Sequence, residues 1–381
     1  MKNDALTSLL TTLSTLPDLM TGSGAGAGDG YIDEQSSGAI SQPFIPKTHL
    51  YSYKDEEVVF RNPSDNVVLN GTLRLPVKDG THPAAIIING IKRPNSCGQT
   101  NSEIISDALA GNGIATLTYD DRVTSDAADN FHCAPRDFAT DMEAALLYLM
   151  TRKEIDKRRV GLIGDNEGAV IAPIVAARNT SVAFLILLGG IGLRGDDIQL
   201  LQYETLARAS GINEEMLQMN LAESRKTFSI INQCLPLCET QMQLLLLLRS
   251  NFQNNPFAEM ISSDSADFLF QLEVERLSSP WQLFFIRHDP TTVMEKIKCP
   301  VLVLNGGKDV QVPAEANVAA ICQALARGGN RTVTAKILPD LNHLFQECKT
   351  GLPAEYVSIK HPLSPIVHEE ILQWLRKQFK Q

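Results

Sequence analysis

The chain has 381 residues, 44% of them hydrophobic, and a formal net charge of -10 from 34 basic and 44 acidic side chains. This length and apolar content suit one large α/β domain with an insertion, or two modest domains. The acidic balance argues against nucleic acid or an anionic membrane surface as a main partner, since both need a basic face. No apolar run approaches the roughly 18 to 20 residues of a membrane span.

Residues 1–44 include the stretch from Thr21 to Gly30, which is rich in glycine and reads as part of a flexible tail. Lys2 is followed by Asp4, and Thr and Ser interrupt the leucines up to position 20, a poor signal-peptide core. The seven cysteines lack the density of a disulfide framework, so the expected location is the cytoplasm. Cys234 and Cys238 are the one close pair, with no second pair in matching spacing, and no metal site is expected.

From Glu57, Val58 to Phe60 and Val67 to Pro76 alternate around a turn at Asn62-Pro63, the pattern of a hairpin. Three apolar runs of strand length follow, Ala84 to Asn89, Ile114 to Tyr119 and Arg159 to Gly164. They alternate with helical patterns over Ile104 to Gly111, Phe138 to Arg152 and Glu167 to Arg178. Further strands are expected at Ala183 to Leu188, Val301 to Asn305 and Thr332 to Leu338, with helices over Ala314 to Arg327 and Ile366 to Phe379. Continuous apolar strands separated by helices predict a mostly parallel sheet of about eight strands with helices on both faces. Residues 192–290 have helical spacing and almost no strand signal, and are expected to form a helical cap. The core would then comprise 45–191 and 291–381.

The third apolar strand runs into Gly164-Asp165-Asn166-Glu167-Gly168 and then a helix. That is the context of the Gly-x-Ser-x-Gly turn, in which glycines let the chain reverse tightly and present its central side chain at a helix N-terminus. On its own the spacing is weak, and an ordinary strand-to-helix turn is the plain alternative. Asp309 follows the Val301 strand and His343 follows the Thr332 strand, so nucleophile position, acid and base come in the chain order of α/β-hydrolases. The turn is expected to point only Asn166 at the pocket, leaving Asp165 away from His343.

From about Tyr53 onward the chain resembles a bacterial serine-hydrolase family of the α/β-hydrolase superfamily, related to dienelactone-hydrolase-like and serine-aminopeptidase-like groups. The resemblance rests on Tyr119 to Arg122, Gly161 to Gly168, Cys299 to Pro313, Leu338 to Gln346 and Lys349 to Tyr356. It implies an α/β-hydrolase fold, esterase or acyl-hydrolase chemistry, His343 as base and Asp309 as its orienting acid. A small acyl ester or amide would be the ligand, with no cofactor, and nothing in the sequence points to a particular protein partner.

Three sites depart from the family. Asn166 stands where its serine belongs, and an amide nitrogen, its lone pair delocalised, cannot yield an alkoxide. The oxyanion-hole loop retains only Gly90 and Pro94 around Ile91-Lys92-Arg93, so the expected donors are the NH of Glu167 and that of Gly90 or Ile91. Val123-Thr124-Ser125 replace a Gly-x-Gly stretch after Arg122. Substitute routes would be deamidation of Asn166 to a carboxylate, another nucleophile among Ser96, Cys97 and Ser125, or direct activation of water by His343. The retained Asp309 and His343 point to a recent loss or an introduced substitution, the altered loops to an older loss. The expected function is a weak or inactive esterase-lineage protein, the alternative a silent module for ligand binding or protein interaction.

Overall fold

The computed structural model describes residues 52–88, 100–120, 122, 133–253, 262–356, 358–359 and 363–380. The N-terminal tail, Gly90, Ile91, Ser96, Cys97 and Ser125 lie outside the described residues.

Eight strands form one sheet: β1 (Tyr53–Arg61), β2 (Val68–Pro76), β3 (His82–Ile88), β4 (Ala115–Tyr119), β5 (Ile155–Asp165), β6 (Leu185–Leu188), β7 (Val301–Gly306) and β8 (Val333–Leu338). Their order is β1-β2-β4-β3-β5-β6-β7-β8. The pairs β1 with β2 and β2 with β4 are antiparallel, and all the others are parallel. The sheet expected from the apolar runs is therefore present, with its antiparallel hairpin at one edge.

Helix α1 (Asn101–Gly111) links β3 to β4, and α2 (Pro135–Thr151) leads into β5. Thr100 and Glu103 close a capping box at the start of α1, while Pro135 opens α2, where its missing NH is not needed. After β5 come α3 (Gly168–Arg178), then β6 and the insert helices α4 (Gly195–Ala209), α5 (Glu214–Asn232), α6 (Leu237–Gln253), α7 (Ser263–Leu277) and α8 (Pro280–Arg287). The short α9 (Thr291–Met294) precedes β7. Helix α10 (Ala314–Arg327) joins β7 to β8, and α11 (Pro353–Tyr356) and α12 (Pro365–Gln378) complete the chain.

Two apolar layers enclose the sheet. Val301 and Val303 of β7 join Met142 of α2, Ala172 of α3 and Ile321 of α10. The alternate residues Leu302 and Leu304 join Ile105 of α1 and Ile371 of α12. Period-two alternation thus sends neighbouring side chains to opposite layers. The chain moves outward from β3 to β4 and then returns past β3 to β5. Between β3 and β5 the direction of winding reverses, and the crevice beyond the carboxyl ends of such strands is the usual ligand site of an open α/β sheet.

The helical stretch expected at 192–290 contains α4 to α8, all between β6 and β7. Ile198 of α4 and Phe285 of α8 pack with Val170 in the first turn of α3 and Val312 beyond β7. The insert has its own core, with Phe228, Leu244, Phe270 and Ile286 buried together. Ser279 caps α8 by accepting from the Gln282 NH, with Pro280 at the first helical position. Among the described residues no helix is long and apolar enough to cross a membrane.

Candidate active site

The turn after β5 is shaped by its two glycines. A Cβ on Gly164 would lie 2.2 Å from the Gly168 carbonyl oxygen, and one on Gly168 would lie 2.3 Å from the Ile88 carbonyl oxygen. Only hydrogen fits at either place, so the strand can run straight into the helix. Between them Asn166 takes a φ of 53°, in the left-handed region that asparagine tolerates better than most residues. Its NH donates to the Leu188 carbonyl at 3.2 Å and its carbonyl accepts from the Ala169 NH at 2.9 Å. Glu167 is the N-cap residue of α3.

The turn after β7 holds Asp309, which is 5% exposed. Its Oδ1 accepts from the backbone NH groups of Gln311 at 2.9 Å and Val312 at 2.7 Å. Oδ2 accepts from the Asn305 amide at 3.3 Å and from His343 Nδ1 at 2.8 Å. The His343 loop is itself pinned, since the Asn342 side-chain oxygen accepts from the Gln346 NH at 2.9 Å. From the other side Gln311 Nε2 donates to the Tyr356 hydroxyl at 3.0 Å, and Glu355 accepts from the NH groups of Lys349, Thr350 and Gly351. The 349–356 segment thereby braces the acid turn.

His343 is 4% exposed. With Nδ1 donating to Asp309, its Nε2 is buried and has no hydrogen-bond partner among the described residues. Gly189, at a φ of +62° beyond β6, lies against the ring, and a Cβ there would sit 3.4 Å from His343 Cε1. Burial works to lower the His343 pKa. The charge and hydrogen bond of Asp309 and the charge of Asp165 outweigh it, and the net shift is upward.

Asp165, expected to point away from His343, makes no hydrogen bond to it among the described residues, but the charge of each acts on the pKa of the other. Burial pushes the Asp165 carboxyl up to about 6, against the lowering effects of the His343 charge and of hydrogen bonds from the Asn101 side chain and the Asn166 NH. The residue as a whole keeps some exposed surface, but the carboxyl group sits deep and its desolvation dominates. The physical reason is strand alternation: Asp165 follows Gly164 on β5 and shares a face with Ile163, in the layer that receives Phe345 and Leu341 of the His343 loop. Asn101 ties the same corner together by donating to the Leu344 carbonyl at 3.3 Å.

Of the residues singled out from the sequence, Asp309 and His343 meet directly, and Asn166 heads the glycine-bounded turn. No hydrogen bond joins Asn166 to His343. Cys234 and Cys238 are exposed free thiols in the insert. Sequence reasoning missed Gly189, Asn305 and Asn101. Only Asn305, a polar residue ending an apolar strand, carried a local signal.

No family model matches the chain. It is similar to esterase EstD of Thermotoga maritima, 23% identical over 319 residues that cover 81% of this chain. It spans 66% of that relative's length, just under two thirds. Among solved structures it is similar to a hypothetical protein of Pseudomonas aeruginosa, with a TM-score of 0.51 and 15% identity over 86% of this chain and 94% of the other. It is likewise similar to the α/β hydrolase GrgF of Penicillium, with a TM-score of 0.51 and 15% identity over 86% of this chain and all of the other. The reversal of winding between β3 and β5, the helices on both faces and these likenesses together show that the chain has an α/β-hydrolase fold.

Proposed function

We propose that the protein is of serine-esterase lineage and binds a small acyl ester or amide between Asn166 and His343, with covalent hydrolysis weak or absent because Asn166 occupies the nucleophile position. The observation that carries this reading is the buried Asp309–His343 pair, bonded at 2.8 Å, whose outer nitrogen has no hydrogen-bond partner among the described residues. In the ordinary chemistry such a pair takes a proton from a serine hydroxyl, and Asn166 has none to give. Loss of a serine nucleophile costs on the order of a million-fold in turnover in subtilisin. The esterase named among the relatives supports the ester class of ligand. Helices α4 to α8 act in this reading as a cap whose side chains select the ligand.

Fluorophosphonate labelling of the parent and of Asn166→Ser, beside a known serine hydrolase, tests the reading. The parent should not label. The serine variant should label and slowly cleave an activated aryl ester, since the Glu167 NH comes with the turn while the second donor must come from the altered loop at Gly90 and Ile91. One missing oxyanion donor costs about a hundred- to a thousand-fold. A folded variant that neither labels nor turns over would leave the silent binding or interaction module as the surviving reading.

A further inference from the structure

The segment that carries the chain from β6 into the helical insert has three glycines in four residues, and each residue meets a neighbour of the acid–base pair. Gly189 lies against the His343 ring, and a Cβ on Gly190 would sit 3.2 Å from Ile321 Cδ1 of α10. Ile191 is buried in one cluster with Val312. Gly192 packs on α10, where a Cβ would lie 2.3 Å from the Asn317 carbonyl oxygen. The Asn317 side chain is wholly buried. Its Oδ1 accepts from the NH groups of Gly192 at 3.0 Å and Leu193 at 3.4 Å, and its Nδ2 donates to the Pro313 carbonyl at 3.0 Å. Pro313 follows Val312, whose NH donates to Asp309 Oδ1 at 2.7 Å. These contacts close a ring that runs from Asp309 through His343, Gly189 to Gly192, Asn317, Pro313 and Val312 back to Asp309. Asparagine is a weak helix former, and a buried amide needs partners at both ends. At Asn317 one end serves its own helix and the other the entry to the insert.

We propose that Asn317 is a positioning residue that locks the entry of the insert to the acid–base pair, so that a displacement of the insert at Gly192 is carried to Asp309 and His343. The inference rests on the reading of that pair as the functional site and deepens it, because a ligand held by the insert would then act on the geometry of the pair. Close-packed backbone has no side chain to absorb a shift at Gly189 or Gly192, and coupling travels through such contiguous contacts. Without the amide, the entry segment and the acid turn would meet through the apolar packing of Ile191 and Val312. Apolar packing is non-directional and lets the two surfaces slide. Hydrogen bonds from Asn317 fix their register.

The test is amide hydrogen exchange of the full chain, read by mass spectrometry, in the parent, Asn317→Leu and Gly192→Ala. The leucine keeps roughly the volume and removes both bonds, while the added methyl of Gly192→Ala presses on Asn317 from the insert side and leaves the amide in place. Peptides over 189–195 and 308–313 should exchange at least about five-fold faster in both variants, the factor that one net hydrogen bond is worth. A β5 peptide over 160–164 should keep its rate. The proton on His343 Nδ1, which lies between the ring and Asp309, should shift its resonance in both variants, with His343→Gln identifying the signal. A residue that only supports the fold would speed exchange in β5 as well and leave that resonance unmoved. Thermal unfolding checks that Asn317→Leu is folded, and Asn317→Ser replaces it otherwise. Faster exchange over 189–195 alone, equal acceleration in β5, or an unmoved His343 resonance would each overturn the proposal. These readouts need neither ligand nor nucleophile, so they are separate from labelling of Asn166→Ser, whose failure would concern the reading of the site.

Discussion

Gly168 lies so close to Ile88 that a methyl group on its Cα would sit 2.3 Å from the Ile88 carbonyl oxygen, a backbone atom that cannot step aside. Gly168→Ala should therefore destabilise the protein by at least about 1–3 kcal/mol, the usual cost of overpacking. Gly164→Ala should behave alike, since its neighbours at 2.2 and 2.5 Å are the backbone atoms of Gly168. Urea unfolding of the two variants measures this. Stability within 0.5 kcal/mol of the parent, as is usual for plain surface turns, would mean that the turn is not held as described.

The same turn shows what the sequence makes legible. The run Val160 to Ile163, the two glycines and the apolar helix after them mark a strand, a reversal and a helix, because each leaves its own local period. Asp309 was recognisable from its place after Val301 to Leu304, and His343 from following the next strand. The influence of the Asp165 charge on His343 was not, because it needs the fold of the 339–346 loop, where Phe345 takes a φ of 57° and buries in the layer under Asp165. Within the stretch expected to be helical, Ser279-Pro280 marks the start of α8. Its eight residues are nearly all apolar or aromatic, so no amphipathic period announces it.

Arg122 and Asp141 form the most buried ion pair that bears on β4, with side chains 6% and 1% exposed. Arg122 Nε and one terminal nitrogen each donate to Asp141 at 2.8 Å, while Asn62 Nδ2 donates to the same carboxyl at 2.8 Å. Removing the cation leaves a buried carboxylate with a single amide donor, at a cost of about 3–5 kcal/mol. Arg122→Met should thus lower the unfolding free energy by that amount, and Asp141→Leu added to it should recover part of the loss. A double variant no more stable than the single one would show that the charge left behind is not the cause.

Asp165 should make stability depend on pH in a known direction. Its folded pKa is raised from 3.8 to about 6, so the folded state binds the proton more tightly than the unfolded chain. The stabilisation is fully present below the unfolded value and is lost as pH rises through about 6. In Asp165→Asn this dependence disappears. The stability of the variant relative to the parent should grow between pH 4.5 and 7 by about 1–3 kcal/mol. Any constant effect of the amide cancels in that difference, which urea unfolding at the two pH values gives. A difference that stays flat, or reverses, would place the Asp165 carboxyl in water.

The raised pKa of His343 sets the last prediction, the pH profile of any activity regained by Asn166→Ser. The serine can lose its proton only to a neutral Nε2, and Asp309 and Asp165 both favour the protonated ring. The rate against an aryl ester should therefore climb with pH, with a midpoint above the ordinary histidine value of 6.5. Adding Asp165→Asn removes one of the two charges and should move that limb toward acid. Where both variants are still mostly protonated, the double variant should then be faster, because a larger fraction of its His343 is neutral. Mixing the two variants' folded concentrations into the rates, by active-site titration with the fluorophosphonate, separates this from a change in the amount of competent protein. Coincident limbs would mean that Asp165 does not act on the base. A midpoint below 6.5 would mean that burial, and not the two carboxylates, governs His343.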